Sequence, residues 1–186
     1  MMAGVATTDG VPSKRPMDAD AAFSAIFERH HALIYHYLRT LVADDAVAED
    51  LTRDSFVRAW RSFECEEPRN PKTWLYAIAT TAALSAMRRR RLLRWLPVRA
   101  EHDARGMPST ADLEPLVGER AVLVRALNRL PAAEAACLLL RFQHGLSDAE
   151  LAEALGVPVP TAKRRLCRAR VAIREAYIRL REDAFG

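Results

Sequence analysis

The sequence predicts an all-α fold of two small helical domains joined by a flexible linker. Only 7 Gly and 10 Pro punctuate 186 residues, and the abundant Ala, Leu, Arg and Glu lose little rotamer freedom in a helix. Apolar residues recur at helical spacing through both halves of the chain. Between the halves this periodicity fails, and Pro, Gly, Ser, Thr, Asp and Glu accumulate.

Residues 1–19 are small and polar and read as a disordered leader, too poor in apolar groups to offset ordering entropy. From Ala21, the series Phe23, Ile26, Phe27, Leu33, Ile34, Tyr37, Leu38 and Leu41 marks an amphipathic helix. Asp44-Asp45 then caps a second helix that runs to about Phe63. After a break over 64–71, a third begins near Lys72 and ends in Arg88-Arg89-Arg90-Arg91. The first domain therefore spans 20–95, the linker 96–117, the second domain 118–178 and a tail 179–186. In the second domain, Pro131, Gly145, Gly156, Pro158 and Pro160 delimit helices at about 117–129, 132–144, 147–155 and 159–180.

Ser147 with Glu150 forms a capping-box pattern, and Gly156 stands at a tight turn before a further helix, as a helix-turn-helix requires. In that further helix Ala162, Leu166, Ala169 and Ile173 share one stripe. Lys163, Arg164, Arg165, Arg168, Arg170 and Arg174 bring six cations to it with no acidic residue between them, the footprint of a helix lying along phosphates in a major groove. At about 100° per residue, Arg164 and Arg168 lie about 200° and 240° from Ala162, away from the stripe, while Lys163, Arg165 and Arg170 project sideways. A solvated, arginine-rich helix is the plainer alternative.

The four-arginine helix end complements a helix dipole. Next to Trp74, Tyr76, Thr80 and Thr81 it could also hold unpaired bases by stacking and charge. For Tyr76 a core position is favoured. A formal net charge of +4 is modestly basic, so a polyanionic partner is indicated by clustering rather than by the total. Cys65, Cys137 and Cys167 fit neither a disulfide framework nor a metal knuckle. His31 and His36, five residues apart, do not share a helix face as a ligand pair would. No nucleophile–base pair, phosphate loop or paired carboxylate spacing is visible. The chain is read as non-enzymatic, without metal or cofactor, without a membrane span or signal-peptide core, and cytoplasmic.

The run from Ala48-Glu49-Asp50-Leu51 through Phe56 to Trp60, then Trp74 to Ala79 and the arginine run, closely resembles sigma region 2. Leu130-Pro131, Leu139 to Phe142, Gly145 to Ser147, Glu150 to Gly156 and Thr161 to Arg170 resemble region 4. With both halves in order around an irregular linker, the chain is identified as a member of the extracytoplasmic-function (ECF) subfamily of the sigma-70 family of bacterial RNA polymerase sigma factors.

The resemblance implies a factor that binds the beta and beta-prime subunits of core RNA polymerase, directs promoter recognition, DNA opening and transcription initiation, and is restrained by an anti-sigma factor. It places polymerase contacts on Asp50, Arg53 and Asp54, with Arg53 standing where the family usually has Gln. Minus-ten contacts fall on Asn70, Trp74, Thr80, Thr81, Arg88 and Arg89, with Thr80-Thr81 replacing the usual Arg-Asn pair and Ser85 a common Asp. Minus-thirty-five contacts fall on Thr161, Lys163, Arg164, Arg165, Cys167 and Arg168. Promoter elements about 25 base pairs apart are separated by roughly 85 Å, more than one domain of this size spans, so two domains on a linker suit the task. The alternative, a stand-alone helix-turn-helix regulator, leaves residues 21–94 without a role.

Overall fold

The computed structural model describes residues 16–63, 68–93 and 118–185. Most of the expected leader, the linker with its acidic residues, Cys65, and part of the loop before the third helix lie outside the described residues.

The first unit is a bundle of α1 (Pro16–Val42), α2 (Asp45–Phe63) and α3 (Pro71–Leu93). α1 begins at Pro16, inside the stretch read as leader, because Pro's fixed φ suits a first helical turn. It ends at Ala43, whose φ of 53° closes the helix through an Ala43 N–H to Arg39 carbonyl bond of 2.9 Å. Asp44 caps α2, its Oδ1 accepting from Val47 N–H at 3.0 Å. That bond, helped by Arg90, holds the Asp44 carboxyl below its usual range. The Arg90 guanidinium reaches Asp44 at 3.2 Å, tying the arginine end of α3 to the α1–α2 corner.

Ile34, Tyr37 and Leu38 of α1 meet Leu51, Phe56 and Ala59 of α2 and Leu75 and Ala79 of α3 in the buried core. Thr52 and Ser55 are buried as well, and each returns its hydroxyl to the carbonyl of the preceding turn (Ala48, 2.7 Å; Leu51, 2.6 Å), which removes the cost of an unpaired buried polar group.

The second unit comprises α4 (Glu119–Asn128), α5 (Ala132–Leu138), α6 (Asp148–Ala154) and α7 (Val159–Phe185). α5 does not continue as α-helix to residue 144: Leu139–Gln143 forms a π turn, closed by His144 N–H to Leu139 carbonyl at 3.1 Å, and Gly145 follows at φ 68°. The wider turn swings His144 off the helix line. α7 extends beyond the expected end of the domain, through residues 179–185 of the stretch read as a tail. Leu180 is 1% exposed and packs with Val122 and Ala126 of α4.

The helix-turn-helix is built as the caps predict. Ser147 and Glu150 make a full capping box. Gly156, at φ 62°, ends α6 with Val157 N–H to Ala152 carbonyl and Gly156 N–H to Glu153 carbonyl, both 3.0 Å, a paired closure that needs a left-handed residue. Ala162, Leu166 and Ala169 are buried and Ile173 partly so, which fixes the rotation of α7.

Candidate polymerase and nucleic-acid interface

Asp50, Arg53 and Asp54 are exposed on α2. Arg53 pairs with Asp50 at 3.2 Å, but their side chains are 72% and 76% exposed, so water screens the pair and both groups stay available. Beside them runs a groove of about 810 Å³ lined by Phe23, Phe27, Phe56, Val57 and Trp60 among others. Phe27 and Val57 remain 41% and 44% exposed. Phe23 and Phe27 belong to the apolar stripe of α1 and Phe56 to the region 2 motif, and neither pattern by itself marks this surface. The aromatic spacing over α1 and α2 is the signal that could have found it.

Rotation of about 100° per residue sorts the candidate residues of α3 onto different faces. Asn70, Trp74, Ala77, Thr81 and Arg88 share one stripe, on which Thr81, Arg88 and neighbouring Arg89 are exposed and Trp74 is half-buried. Thr73, Tyr76 and Thr80 share the adjacent face and are buried. The Thr80 hydroxyl hydrogen-bonds the Tyr37 hydroxyl at 2.8 Å, and burial pushes the Tyr37 phenol above its usual range. Thr80 is thus an internal tie between α3 and α1 and presents no hydroxyl at the surface, unlike Thr81. Asn70 is the N-cap of α3: its Oδ1 accepts from Thr73 N–H at 3.2 Å, with Pro71 at the first helical position.

On α7, Lys163, Arg164, Cys167 and Arg168 are exposed while Thr161 and Arg165 are half-buried. Arg164 and Arg168 point away from the buried stripe. Lys163 leans back to Asp148 at 3.3 Å, with its side chain still 60% exposed. Arg170 stacks over the exposed Phe142 ring, 5.1 Å from its centroid, so its cation is partly engaged within the unit.

The two units touch. Glu150 Oε1 accepts from Asn70 Nδ2 at 3.0 Å and from the Thr73 hydroxyl at 3.3 Å. Lys72 Nζ donates to the His144 carbonyl at 2.7 Å, and the Tyr76 hydroxyl and His144 Nδ1 share a 2.7 Å hydrogen bond. His144 Nε2 is buried with no partner, and burial, with Lys72 and His36 nearby, pushes the imidazole down to about 4. The Ser147 backbone and hydroxyl, then Asn70 and Thr73, hold the Glu150 carboxyl down to about 2. Of the residues that make these bonds, Asn70 is among the predicted site residues, whereas Lys72, Thr73, Tyr76, His144 and Glu150 are not. Among the described residues, no group of His, Cys, Asp and Glu is placed to hold a metal, and no helix is long and apolar enough to cross a membrane.

Comparison with known proteins agrees with this division. The Sigma-70 region 2 model matches residues 26–92, and the Sigma-70 region 4 model matches residues 120–173. The ECF RNA polymerase sigma factor SigL of Mycobacterium tuberculosis is 30% identical over 150 residues, covering 78% of this chain and 83% of that one. SigW of Bacillus subtilis, also an ECF RNA polymerase sigma factor, is 27% identical over 164 residues, covering 83% and 88%. Among solved structures, the sigma factor RpoE in complex with the anti-sigma factor NepR from Bartonella quintana superposes with a TM-score of 0.67 at 26% identity, over 83% of this chain and 96% of that one. A two-domain helical DNA-binding protein of the sigma-70 class is what the fold and its surfaces define. The chain belongs to the ECF RNA polymerase sigma factors, and directs promoter recognition.

Proposed function

We propose that this chain binds core RNA polymerase through the exposed face of α2 at Asp50, Arg53 and Asp54, holds the opened minus-ten strand on the Trp74–Thr81–Arg88–Arg89 stripe of α3 with Asn70 at its head, and reads the minus-thirty-five element with α7. It acts in the cytoplasm without catalysing a reaction of its own, and an anti-sigma factor is its natural restraint. The observation that carries the reading is the outward pair Arg164 and Arg168, opposite a buried Ala162–Leu166–Ala169 stripe, on a helix joined in one chain to a second, separately basic helix. Outward arginines match guanine edges bidentately, whereas the flanking Lys163 and Arg165 suit phosphates. Thr161 and Cys167 border the same surface. Thr80 stays outside this scheme, as the buried tie between α3 and Tyr37 of α1.

The test is run-off transcription from pooled genomic fragments with purified core polymerase. Added chain should produce discrete new transcripts. A chain that only represses, or produces none, would point to a stand-alone helix-turn-helix regulator.

A further inference from the structure

Lys163 and Arg170 share one flank of α7, about 100° and 80° from Ala162. Both are engaged by the segment that leads into the helix-turn-helix. The Arg170 guanidinium lies over the Phe142 ring, whereas the Lys163 ammonium lies 3.3 Å from Asp148 Oδ2. Among the described residues, the outward Arg164 and Arg168 have no internal partner of this kind. A neutral ring leaves a cation its full charge, and a carboxylate does not. Asp148, the first residue of α6, also has Arg141 at 3.8 Å, but that guanidinium donates to the Leu146 carbonyl at 2.6 Å. The closer ion pair of Asp148 is the one to Lys163.

This flank faces the phosphate walls of a groove that receives α7. A carboxylate there has two opposed effects: it orders Lys163 before DNA arrives, and it competes with phosphate for the same ammonium. The Lys163 side chain remains 60% exposed and keeps much of its rotamer freedom, so little ordering is saved. The Asp148 side chain is only 38% exposed, so solvent screens its charge incompletely. Competition is the larger effect.

Resting on the minus-thirty-five reading of α7 above, we infer that Asp148 is a brake on the recognition helix: its carboxylate competes with a DNA phosphate for the Lys163 ammonium and limits how tightly the helix-turn-helix holds DNA of any sequence. On binding, Lys163 passes from the carboxylate to a phosphate, and Asp148 takes a cation from solution. Net counterion release is then smaller than the phosphate contact alone gives. Asp148 acts through Lys163 and touches no base, which makes it a positioning residue.

The test measures holoenzyme affinity at two salt concentrations for a promoter duplex mapped by run-off and for the same duplex with its minus-thirty-five element scrambled. It compares the parent, Asp148→Asn, Lys163→Ala and the double variant. Asp148→Asn should tighten binding to both duplexes alike, by about two- to fivefold at the lower salt, the worth of an exposed ion pair, and should steepen the salt slope. In the Lys163→Ala background the same change should bring no gain. A purely structural role for Asp148 lowers Tm and leaves affinity and salt slope unchanged, and that result overturns the inference. A gain that survives Lys163→Ala overturns it too, because the carboxylate then acts on DNA without Lys163. Tightening confined to the intact minus-thirty-five element does the same. Should Asp148→Asn not fold, Asp148→Ser, which also suits a helix start, carries the same comparison. A parent holoenzyme that binds the two duplexes equally overturns the minus-thirty-five reading, and the inference with it.

Discussion

Asn70 and Glu150 stand 80 residues apart in sequence and 3.0 Å apart in space. Each also has a local duty, Asn70 capping α3 and Glu150 completing the capping box of α6. One hydrogen bond therefore joins the start of α3 to the start of α6, the first helix of the helix-turn-helix.

Acid should weaken this junction in two stages. The His144 pKa is depressed in the folded chain to about 4 from 6.5, so the unfolded chain takes up the proton first, and stability present above about pH 6.5 is lost as pH falls toward 4. Glu150, depressed to about 2 from 4.5, follows the same sign at lower pH. The groups facing the imidazole are Lys72 and Tyr76 of α3 and His36 and Tyr37 of α1. His144→Asn keeps a partner for Tyr76 and cannot ionise in this range. Melting curves between pH 7 and 4 should show a shallower decline for this variant than for the parent.

Thr80→Val should destabilise the first unit by about 1 to 3 kcal/mol, because the Tyr37 hydroxyl loses its buried partner. Its effect on minus-ten base preference should be nil, whereas Thr81→Val, at an exposed position, should alter strand binding with little loss of stability. Denaturant unfolding together with anisotropy on a minus-ten strand separates the two. A changed base preference in Thr80→Val would assign that residue to the DNA surface.

The contrast between these neighbouring threonines shows what was legible in the sequence. Helix positions, the capping box and the orientation of α7 follow from local rules, since a cap or a stripe is written within a few residues. The inward turn of Thr80 follows from the same rotation, which groups it with Thr73 and Tyr76, whereas the family motif pairs it with Thr81. Contacts such as Tyr76 with His144, 68 residues apart, leave no local pattern. The contacts made by His144 after its π turn depend on packing between units, and the burial of Leu180 at the far end of α7 depends on packing against α4 within its own unit; spacing alone specifies neither.

Gly156→Ala should lower stability by about 1 kcal/mol, or about 3 °C in Tm, since φ is 62° and a Cβ there strains the backbone rather than striking a neighbour. Thermal melts at neutral pH measure this, and an unchanged Tm would mean that the turn relaxes.

Arg164→Ala or Arg168→Ala should cost about 1 to 3 kcal/mol and relax preference at particular minus-thirty-five bases. Lys163→Ala should weaken binding to all sequences alike and reduce the salt slope by about one. Holoenzyme binding to a library with each minus-thirty-five base varied, at two salt concentrations, reads both effects. Uniform loss of affinity in the arginine variants would move them from base readout to phosphate contact.

Charge reversal at Asp50 and Asp54, both exposed on α2, should abolish co-purification with core polymerase while the circular dichroism spectrum and Tm stay close to those of the parent. Retained binding would shift the docking surface elsewhere, with the neighbouring Phe27–Val57 groove the first place to look.

The most direct measurement of promoter opening is permanganate reactivity of thymines around a mapped start site, with chain alone, core alone and the two together. Reactive thymines should appear only with both present and only across the minus-ten region. Opening by the isolated chain, or no opening by the reconstituted holoenzyme, would contradict the assignment of this protein's two helical units to promoter capture under the control of core polymerase.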